Sequence, residues 1–564
     1  MSLFSVSGVK MLEEAHTELD GLVDVRNGHV KELFIDSVRN NHSHDSMGQL
    51  FEKSLEKFER KDMGQYYTPK LIVEYMISQL DIKKDSKVLD PSCGCGSFLL
   101  TLFDVFKEKY GIQFIKNIFG VDINDAATDM TRLCLSRKSG FKDNYVPLIR
   151  QNIKTGNSIV LNRILDKSAF DWNFEFRDVM TNGGFDFIIG NPPYVTLTSA
   201  DFDASESIYN QLTDGPVNAA TLMIGKSLDL LKENGILAFL LPKSILYVDS
   251  YAKLRNYLAH NTEILQIYDL GSKFKDVRGE QFILFVRKSI PNKESHVKVC
   301  VFKDKAKGLS EQSFIKIKQD KLTSTDKFFT FDSQAYYELI SKVSGIGMKL
   351  NDFVDGRIFR GLPVGGNQAT IEKESSASEQ VIRGKDISKF RLKALPFMDK
   401  ETLSNQSQGK IESLKHKKVV LQNIFSAESG AIAVYDLDKT LTLDTVTNVI
   451  VKDDEQGKYL LALLSSKLIN FYIMYALFNR SRLTMHMDKS YLGSIPVIAN
   501  PSKIKLNKLI KIIDFLLKNK DVELRKAKNR EIDEIVYDIY SLTDKEIKMV
   551  EEATEKMFSK KSLW

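Results

Sequence analysis

At 564 residues the chain exceeds what a single hydrophobic core usually holds, so two or three domains are expected. A hydrophobic share of 43% and a charged share of 27% are ordinary for a globular protein and exclude a disordered or fibrous chain. The net charge of +6, from 80 basic and 74 acidic residues, permits a nucleic-acid partner without demanding one, because local clustering is what counts.

The four cysteines, Cys93, Cys95, Cys134 and Cys300, give no disulfide framework and point to a reducing compartment. Cys93 and Cys95 form a C-x-C with no second pair or nearby histidine, so no metal is expected. The stretch Met1 to Glu14 has no long apolar core, and no later run is long and uncharged enough to span a bilayer. A cytoplasmic chain without a membrane partner is the expectation.

Residues 9–62 read as helical, with Met47, Leu50, Phe51, Leu55 and Phe58 at steps of three and four. Next comes Gly64-Gln65-Tyr66-Tyr67-Thr68-Pro69-Lys70, where Thr68 is placed as an N-cap and Pro69 at the first helical position. Such a helix start offers free N–H groups to a carboxylate or phosphate. Val88 to Asp90 reads as a short strand running into a small-residue loop with Gly94 and Gly96, then into an apolar helix from Phe98 to Phe106. A G-x-G alone is weak evidence of a cofactor site, but a second strand, Asn117 to Ile123, ends in Asp122 about thirty residues further on, against about twenty in the dinucleotide fingerprint. A carboxylate there can take both hydroxyls of a ribose. The helix from Ala126 to Leu135 returns the chain, and the weakly strand-like Leu148 to Ile153 leads to Gly156-Asn157-Ser158, which reads equally as a turn or as a reader of a cofactor's adenine edge.

The fourth strand, Phe185 to Ile189, ends in Gly190-Asn191-Pro192-Pro193-Tyr194, and the prolines stop further ladder pairing. Open α/β sheets keep their ligands at strand carboxyl ends. The Asn191 side-chain oxygen and the Pro192 carbonyl can both accept hydrogen bonds from one exocyclic NH₂ group. A ring-conjugated amine is a poor nucleophile, and holding both hydrogens toward acceptors turns its lone pair to an electrophile. Tyr194 would offer a ring face to the base. In isolation the same residues are only a strand and a polyproline turn, so the neighbouring loops decide.

The ordered set Tyr67-Thr68-Pro69, Asp90 to Gly96, Asp122, Asn157 and Asn191-Pro192-Pro193-Tyr194 resembles the amino-methyltransferases that make N6-methyladenine in DNA, in the gamma arrangement with target recognition last. The resemblance covers residues 47–290. It implies an α/β fold: a Rossmann-like S-adenosylmethionine-dependent domain with N-terminal helices and a C-terminal α+β target-recognition domain. It implies that Tyr67 and Thr68 meet the cofactor, Thr68 at the methionine carboxylate, and that Asp90, Ser92, Gly94 and Gly96 cradle the methionine part. Asp122 would hold the ribose, with Ile123 packed on the adenine. Asn157 stands where the family has an Asp, although an amide oxygen can also accept from the cofactor's N6. Asn191, Pro192, Pro193 and Tyr194 would be catalytic, and Phe274, before the strand Gln281 to Val286, would stack on the target base opposite Tyr194. A deep pocket cannot reach N6 inside a duplex, so the base must be flipped, at a few kcal/mol.

Asn218 to Leu231 reads as a helix, Gly235 to Pro242 as a strand, Tyr251 to Ala259 as a helix and Ile264 to Leu270 as a strand. The expected layout is an N-terminal helical region 1–62, a catalytic domain 63–304, a linker 305–327, a recognition domain 328–500 and closing helices 501–564. In the recognition region Arg357, Arg360, Arg383 and Lys385 lie among glycines, and Arg480, Arg482 and Lys489 follow, all candidates for DNA contact. A cation beside a loop glycine is normally just solvated. The stretch Leu460 to Leu468 with Leu492 to Pro496 resembles the end of target-recognition domains. Ser502 to Leu517 and Val522 to Leu542 read as an α-hairpin.

A self-contained adenine methyltransferase acting on double-stranded DNA is the leading expectation, working as a monomer and leaving room for a cognate restriction endonuclease on a separate chain. The alternatives are a modification subunit that needs a separate specificity protein, and a catalytically idle nucleic-acid-binding module. A nuclease at the amino end is not expected, since no acidic-plus-lysine metal cluster precedes Gly64.

Overall fold

The computed structural model describes residues 23, 28–39, 68–142, 144–160, 166–198, 207–213, 217–272, 279–303, 308–322, 327–331, 333–363, 375, 377–481, 485–558 and 563–564. Chain contacts divide it into two units, Met1–Asp332 and Ser333–Trp564.

The first unit is built on a nine-stranded sheet whose strands are β1 (Val88–Asp90), β2 (Ile118–Asp122), β3 (Ile153–Thr155), β4 (Phe185–Gly190), β5 (Leu231–Pro242), β6 (Glu263–Gly271), β7 (Gln281–Arg287), β8 (His296–Val301) and β9 (Phe314–Lys318). Their spatial order is β3-β2-β1-β4-β5-β7-β6-β8-β9. Strands β1 to β5 run parallel, and β7 enters antiparallel between β5 and β6. Parallel strands covered on both faces need continuous apolar runs. Phe185, Phe187, Ile188 and Ile189 of β4 are all buried, as are Val88 and Leu89 of β1. Chain order reverses at β1, which has β2 on one side and β4 on the other, and a crevice opens at such a switch point beyond the strand carboxyl ends.

Helices Ser97–Tyr110, Asp125–Lys138, Ala219–Leu230 and Ala252–Asn261 alternate with the strands, as expected within a few residues. Asn124 caps the second of these, its side chain accepting from the Ala127 N–H. The helix Gly28–Arg39 buries Val30 and Phe34 four residues apart, while Met47 to Phe58 lie outside the described residues.

Three readings need correction. Thr68 does not cap a helix: Lys70–Ser78 has Pro69 at its N-cap and no side-chain cap bond, because the Thr68 hydroxyl is engaged elsewhere. Leu148 to Asn152 belongs to the helix Val146–Asn152, started by Pro147 in its first turn, and the strand begins only at Ile153. The segment taken as a linker contributes β9, paired antiparallel to β8, where Phe-Ile-Lys-Ile-Lys alternates as a half-exposed edge strand must.

The second unit centres on a four-stranded antiparallel sheet of Ile358–Arg360, Val446–Ile450, Lys418–Gln422 and Ala433–Asp436, in that spatial order. Helices Asp454–Ser465, Lys467–Tyr472, Lys503–Lys518, Val522–Ile539 and Asp544–Thr554 follow, and the expected pair of closing helices is present. Among the described residues no single helix is long and apolar enough to cross a membrane. One bent pair, Asp454–Ser465 with Lys467–Leu477, has the composition, but its Leu460, Leu464, Ile469 and Phe471 are buried.

Candidate active site

The carboxyl ends of β1, β2, β3 and β4 each deliver one polar loop, and hydrogen bonds tie the loops together. After β1, Gly96 sits in the left-handed region at φ +86°, and a Cβ there would meet Thr131 and Leu100 at 3.0 to 3.2 Å, so only glycine turns the loop into the helix that follows. The Thr131 hydroxyl donates to the Gly94 carbonyl at 2.7 Å. A Cβ on Gly94 would meet nothing within 4 Å, so its backbone borders open space. Asp90 is buried and accepts from the Ser92 N–H at 3.0 Å. Burial, with the charge of Asp122 beside it, pushes its carboxyl well above the ordinary aspartate value although the Ser92 bond pulls the other way.

At the end of β2, Asp122 accepts from the Gly94 N–H at 2.8 Å and from the Asn124 N–H at 2.9 Å. Burial raises its carboxyl too, against the backbone bonds that lower it. Three backbone N–H groups, of Asn124, Gly94 and Ile123, face this carboxylate, and of its roughly four acceptor sites one is left for a ribose hydroxyl. Beside it Ile123 is 54% exposed, an apolar side chain with nothing over it. At the end of β3, Asn157 donates from Nδ2 to Asp166 at 2.7 Å and accepts the Ile159 N–H at 3.2 Å. The Ser158 hydroxyl donates to the Pro91 carbonyl at 2.6 Å, fastening this loop to the one after β1.

At the end of β4, Gly190 passes so close to Asp90 that a Cβ would lie 2.6 Å from its Oδ1. Asn191 follows. Its Nδ2 stands 3.2 Å from the Thr68 hydroxyl, and its carbonyl accepts from Ser92 Oγ at 3.5 Å. The Tyr194 phenol lies 2.6 Å from Asn191 Oδ1 and 2.8 Å from the Leu240 carbonyl on β5. One phenol proton serves two acceptors, so the two share it or alternate. Burial holds that phenol well above its ordinary value, while the residue as a whole stays half-buried.

Thr68, Asp90, Ser92, Gly94, Gly96, Asp122, Ile123, Asn157, Asn191, Pro192, Pro193 and Tyr194 therefore belong to loops at one edge of one sheet. Tyr67 and Phe274 lie outside the described residues. Sequence reasoning missed Asp166 and Thr131, whose roles come from tertiary partners that no local spacing marks. The loops fit S-adenosylmethionine: an open backbone at Gly94, a remaining acceptor site on Asp122 and an uncovered Ile123 suit its methionine, ribose and adenine parts.

The basic candidates of the second unit separate into two kinds. Arg383 grips Asp386 with two nitrogens, at 2.8 and 3.0 Å, within its own turn. Arg480 is half-buried with its guanidinium over the Tyr475 ring, and Arg482 lies outside the described residues. Arg357 and Arg360 are 39% and 44% exposed. Lys489 joins them, its Nζ donating to the Gly356 carbonyl at 2.8 Å, and Arg360 sits 3.7 Å from Asp488. Lys385 is exposed.

Residues 116–275 match the family described as Eco57I restriction-modification methylase, and residues 379–497 match the TaqI-like C-terminal specificity domain. The chain is 26% identical over 333 residues to the type II restriction enzyme and methyltransferase RM.Eco57I of Escherichia coli, covering 50% of this chain and 31% of that one. It is 25% identical over 237 residues to the type II methyltransferase M.TthHB8I of Thermus thermophilus, covering 40% and 46%. It is 23% identical over 257 residues to the type I restriction enzyme EcoEI methylase subunit of Escherichia coli, covering 44% and 47%. The chain thus spans a third to a half of the length of these relatives. In fold it is similar to the type IIL restriction-modification enzyme MmeI, solved in complex with DNA, with a TM-score of 0.59 at 13% identity over 90% of this chain and 81% of that one. Residues 116–275 are thus similar to an Eco57I-type restriction-modification methylase, and residues 379–497 to a TaqI-like C-terminal specificity domain.

Proposed function

We propose that the chain transfers the methyl group of S-adenosylmethionine to the N6 amino group of an adenine flipped out of double-stranded DNA. The observation that carries this reading is the convergence on Asn191, which lies within hydrogen-bond reach of Thr68 on one side and of Ser92 in the β1 loop on the other. An amide acceptor so placed stands beside the loops that suit the cofactor.

When bound, the cofactor supplies a methyl group on a sulfonium, an electrophile that needs no metal. The second lone pair of Asn191 Oδ1 and the Pro192 carbonyl accept the two hydrogens of the amino group and turn its lone pair toward that methyl. Little proton abstraction is needed before attack, and the proton lost afterwards leaves a nitrogen that methylation has made acidic. The protein's contribution is positioning, the main source of rate in such a design. Tyr194 offers a face to the ring, and Phe274, outside the described residues, is the resemblance's candidate for the other face. Unstacking the base costs a few kcal/mol. Phosphate contacts from Arg357, Arg360 and Lys489, together with the specificity domain, offset that cost.

Incubating the purified chain with labelled S-adenosylmethionine and duplex DNA tests the reading. Label in DNA with this chain alone supports it. The kinship to a type I methylase subunit favours a second reading, in which label appears only after a specificity subunit is added. DNA binding without transfer under both conditions defeats both readings and leaves an idle binding module.

A further inference from the structure

We propose that Asp166 is a positioning residue that locks the Asn157 amide with its oxygen toward the cofactor's purine, so that the site accepts an amino group there and rejects an oxo group. The inference rests on the cofactor reading above and names what selects the base of that cofactor.

Asn157 directly follows the turn at which the Gly156 N–H donates to the Asp122 carbonyl at 2.8 Å, so its side chain starts beside the ribose carboxylate. Its Nδ2 donates to Asp166 Oδ2 at 2.7 Å. The other oxygen of Asp166 accepts from the Ser168 N–H at 2.8 Å and from the Ser168 hydroxyl at 2.6 Å. Burial works against the charge, but the Ser168 bonds and the Asn157 amide outweigh it and hold this carboxyl below its ordinary value. The Asn157 N–H also donates to the Ser168 carbonyl at 2.7 Å, so backbone and side chains fasten the two segments together.

An ionised carboxylate has lone pairs and no proton, so only the NH₂ end of an amide can face it. Turning Asn157 over would set oxygen against oxygen. Its Oδ1 is therefore held on the side away from Asp166, where it accepts the Ile159 N–H at 3.2 Å and keeps a second lone pair. At Asn191 the neighbours are two hydroxyls instead of a carboxylate, Thr68 at 3.2 Å from Nδ2 and Tyr194 at 2.6 Å from Oδ1. The acid that the methyltransferase resemblance places at position 157 is thus supplied nine residues later, one hydrogen bond behind the amide.

The test compares binding of S-adenosylhomocysteine with that of S-inosylhomocysteine, whose purine carries an oxygen where the amino group was, by calorimetry on the full chain. The wild-type protein should prefer the adenosyl ligand on the order of ten- to hundredfold, since the oxo group meets a lone pair. In Asp166→Asn the two Ser168 donors keep the new amide oxygen on their side, so its NH₂ faces Asn157 and turns that amide over. The preference should fall to unity or below. The double variant Asn157→Asp with Asp166→Asn puts the carboxylate outward and the amide behind it, and the preference should return. Retention of the full preference in Asp166→Asn, or equal weakening of both ligands, overturns the proposal and marks a purely structural role. Should Asp166→Asn fail to fold, the double variant decides alone: a kept preference supports the proposal and a lost one overturns it. Wild-type protein that binds neither ligand defeats the cofactor reading itself and this inference with it, an outcome distinct from the others.

Discussion

The strand-end acids and amides of the first unit and the buried cations of the second are used in opposite ways. At the strand ends of the first unit, Asp122, Asp90 and Asn157 bond to backbone N–H groups of their own and neighbouring loops and keep lone pairs to spare. In the second unit the buried cations are consumed by their own fold. Lys418 is fully buried against Asp436 at 2.7 Å, and Lys389 donates to the Ser465 carbonyl beneath the Phe558 ring. Arg383 is held by Asp386. What remains for a partner there is the exposed set around Arg357, Arg360 and Lys489. A loop that binds a ligand is recognised by its unused acceptors, whereas a cation declares its role through its exposure as well as its pairing, since Arg357 and Arg360 stay exposed with Asp355 and Asp488 3.4 and 3.7 Å away.

That contrast can be broken at four places. The largest effect is expected for Lys418→Met, which strands the Asp436 carboxylate in the core. Global stability of the second unit should drop by about 3–5 kcal/mol in denaturant unfolding, with affinity for S-adenosylhomocysteine unchanged. Asp122→Ala should weaken that affinity by about 1.5–3 kcal/mol, ten- to hundredfold, because a charged acceptor of the ribose is gone. An unchanged calorimetric Kd would place the ribose elsewhere. Replacing Arg357 and Arg360 together by alanine should weaken binding to all duplexes alike and make the slope of log K against log salt shallower by about 0.9 per cation. Loss confined to one sequence would instead mark them as base readers.

The smallest effect concerns pH. The folded Asp90 carboxyl titrates above the ordinary 3.8, so the folded state holds its proton longer than the unfolded chain does. Stability from this group is then fullest below 3.8 and declines as pH rises from there through the raised value. Asp90→Asn, which keeps an acceptor for the Ser92 N–H, should flatten that decline and leave the protein at least as stable at neutral pH. A variant destabilised equally at acid and neutral pH contradicts the assignment.

Much of the first unit was legible because parallel strands buried on both faces must be written as unbroken apolar runs, and β1 was placed to the residue. Asp122 and Asn191 were legible for a related reason: each ends such a run, where the topology puts ligands. Segments with mixed character were not. Leu148 and Ile149 looked like strand residues until Pro147 began a helix ahead of them, and Lys-rich β9 looked like a linker because only every second side chain of an edge strand turns inward. Thr68 was wrong as a cap, and its hydroxyl instead has a partner 123 positions away, Asn191. Asp166 carried no signal at all, because a loop closure brings it to Asn157. The Arg383 ion pair had one, an aspartate three residues on.

The central claim is that Asn191 directs an adenine amino group, and the methylated atom reports on it directly. Duplex DNA treated with wild-type and Asn191→Ala protein, digested to nucleosides and resolved by mass spectrometry, should give N6-methyladenine with the wild type and at least about a hundredfold slower formation with the variant, the scale seen when one catalytic hydrogen-bonding group is removed. Methyl groups found only on cytosine, or an Asn191→Ala protein that makes N6-methyladenine at the wild-type rate, would contradict the account.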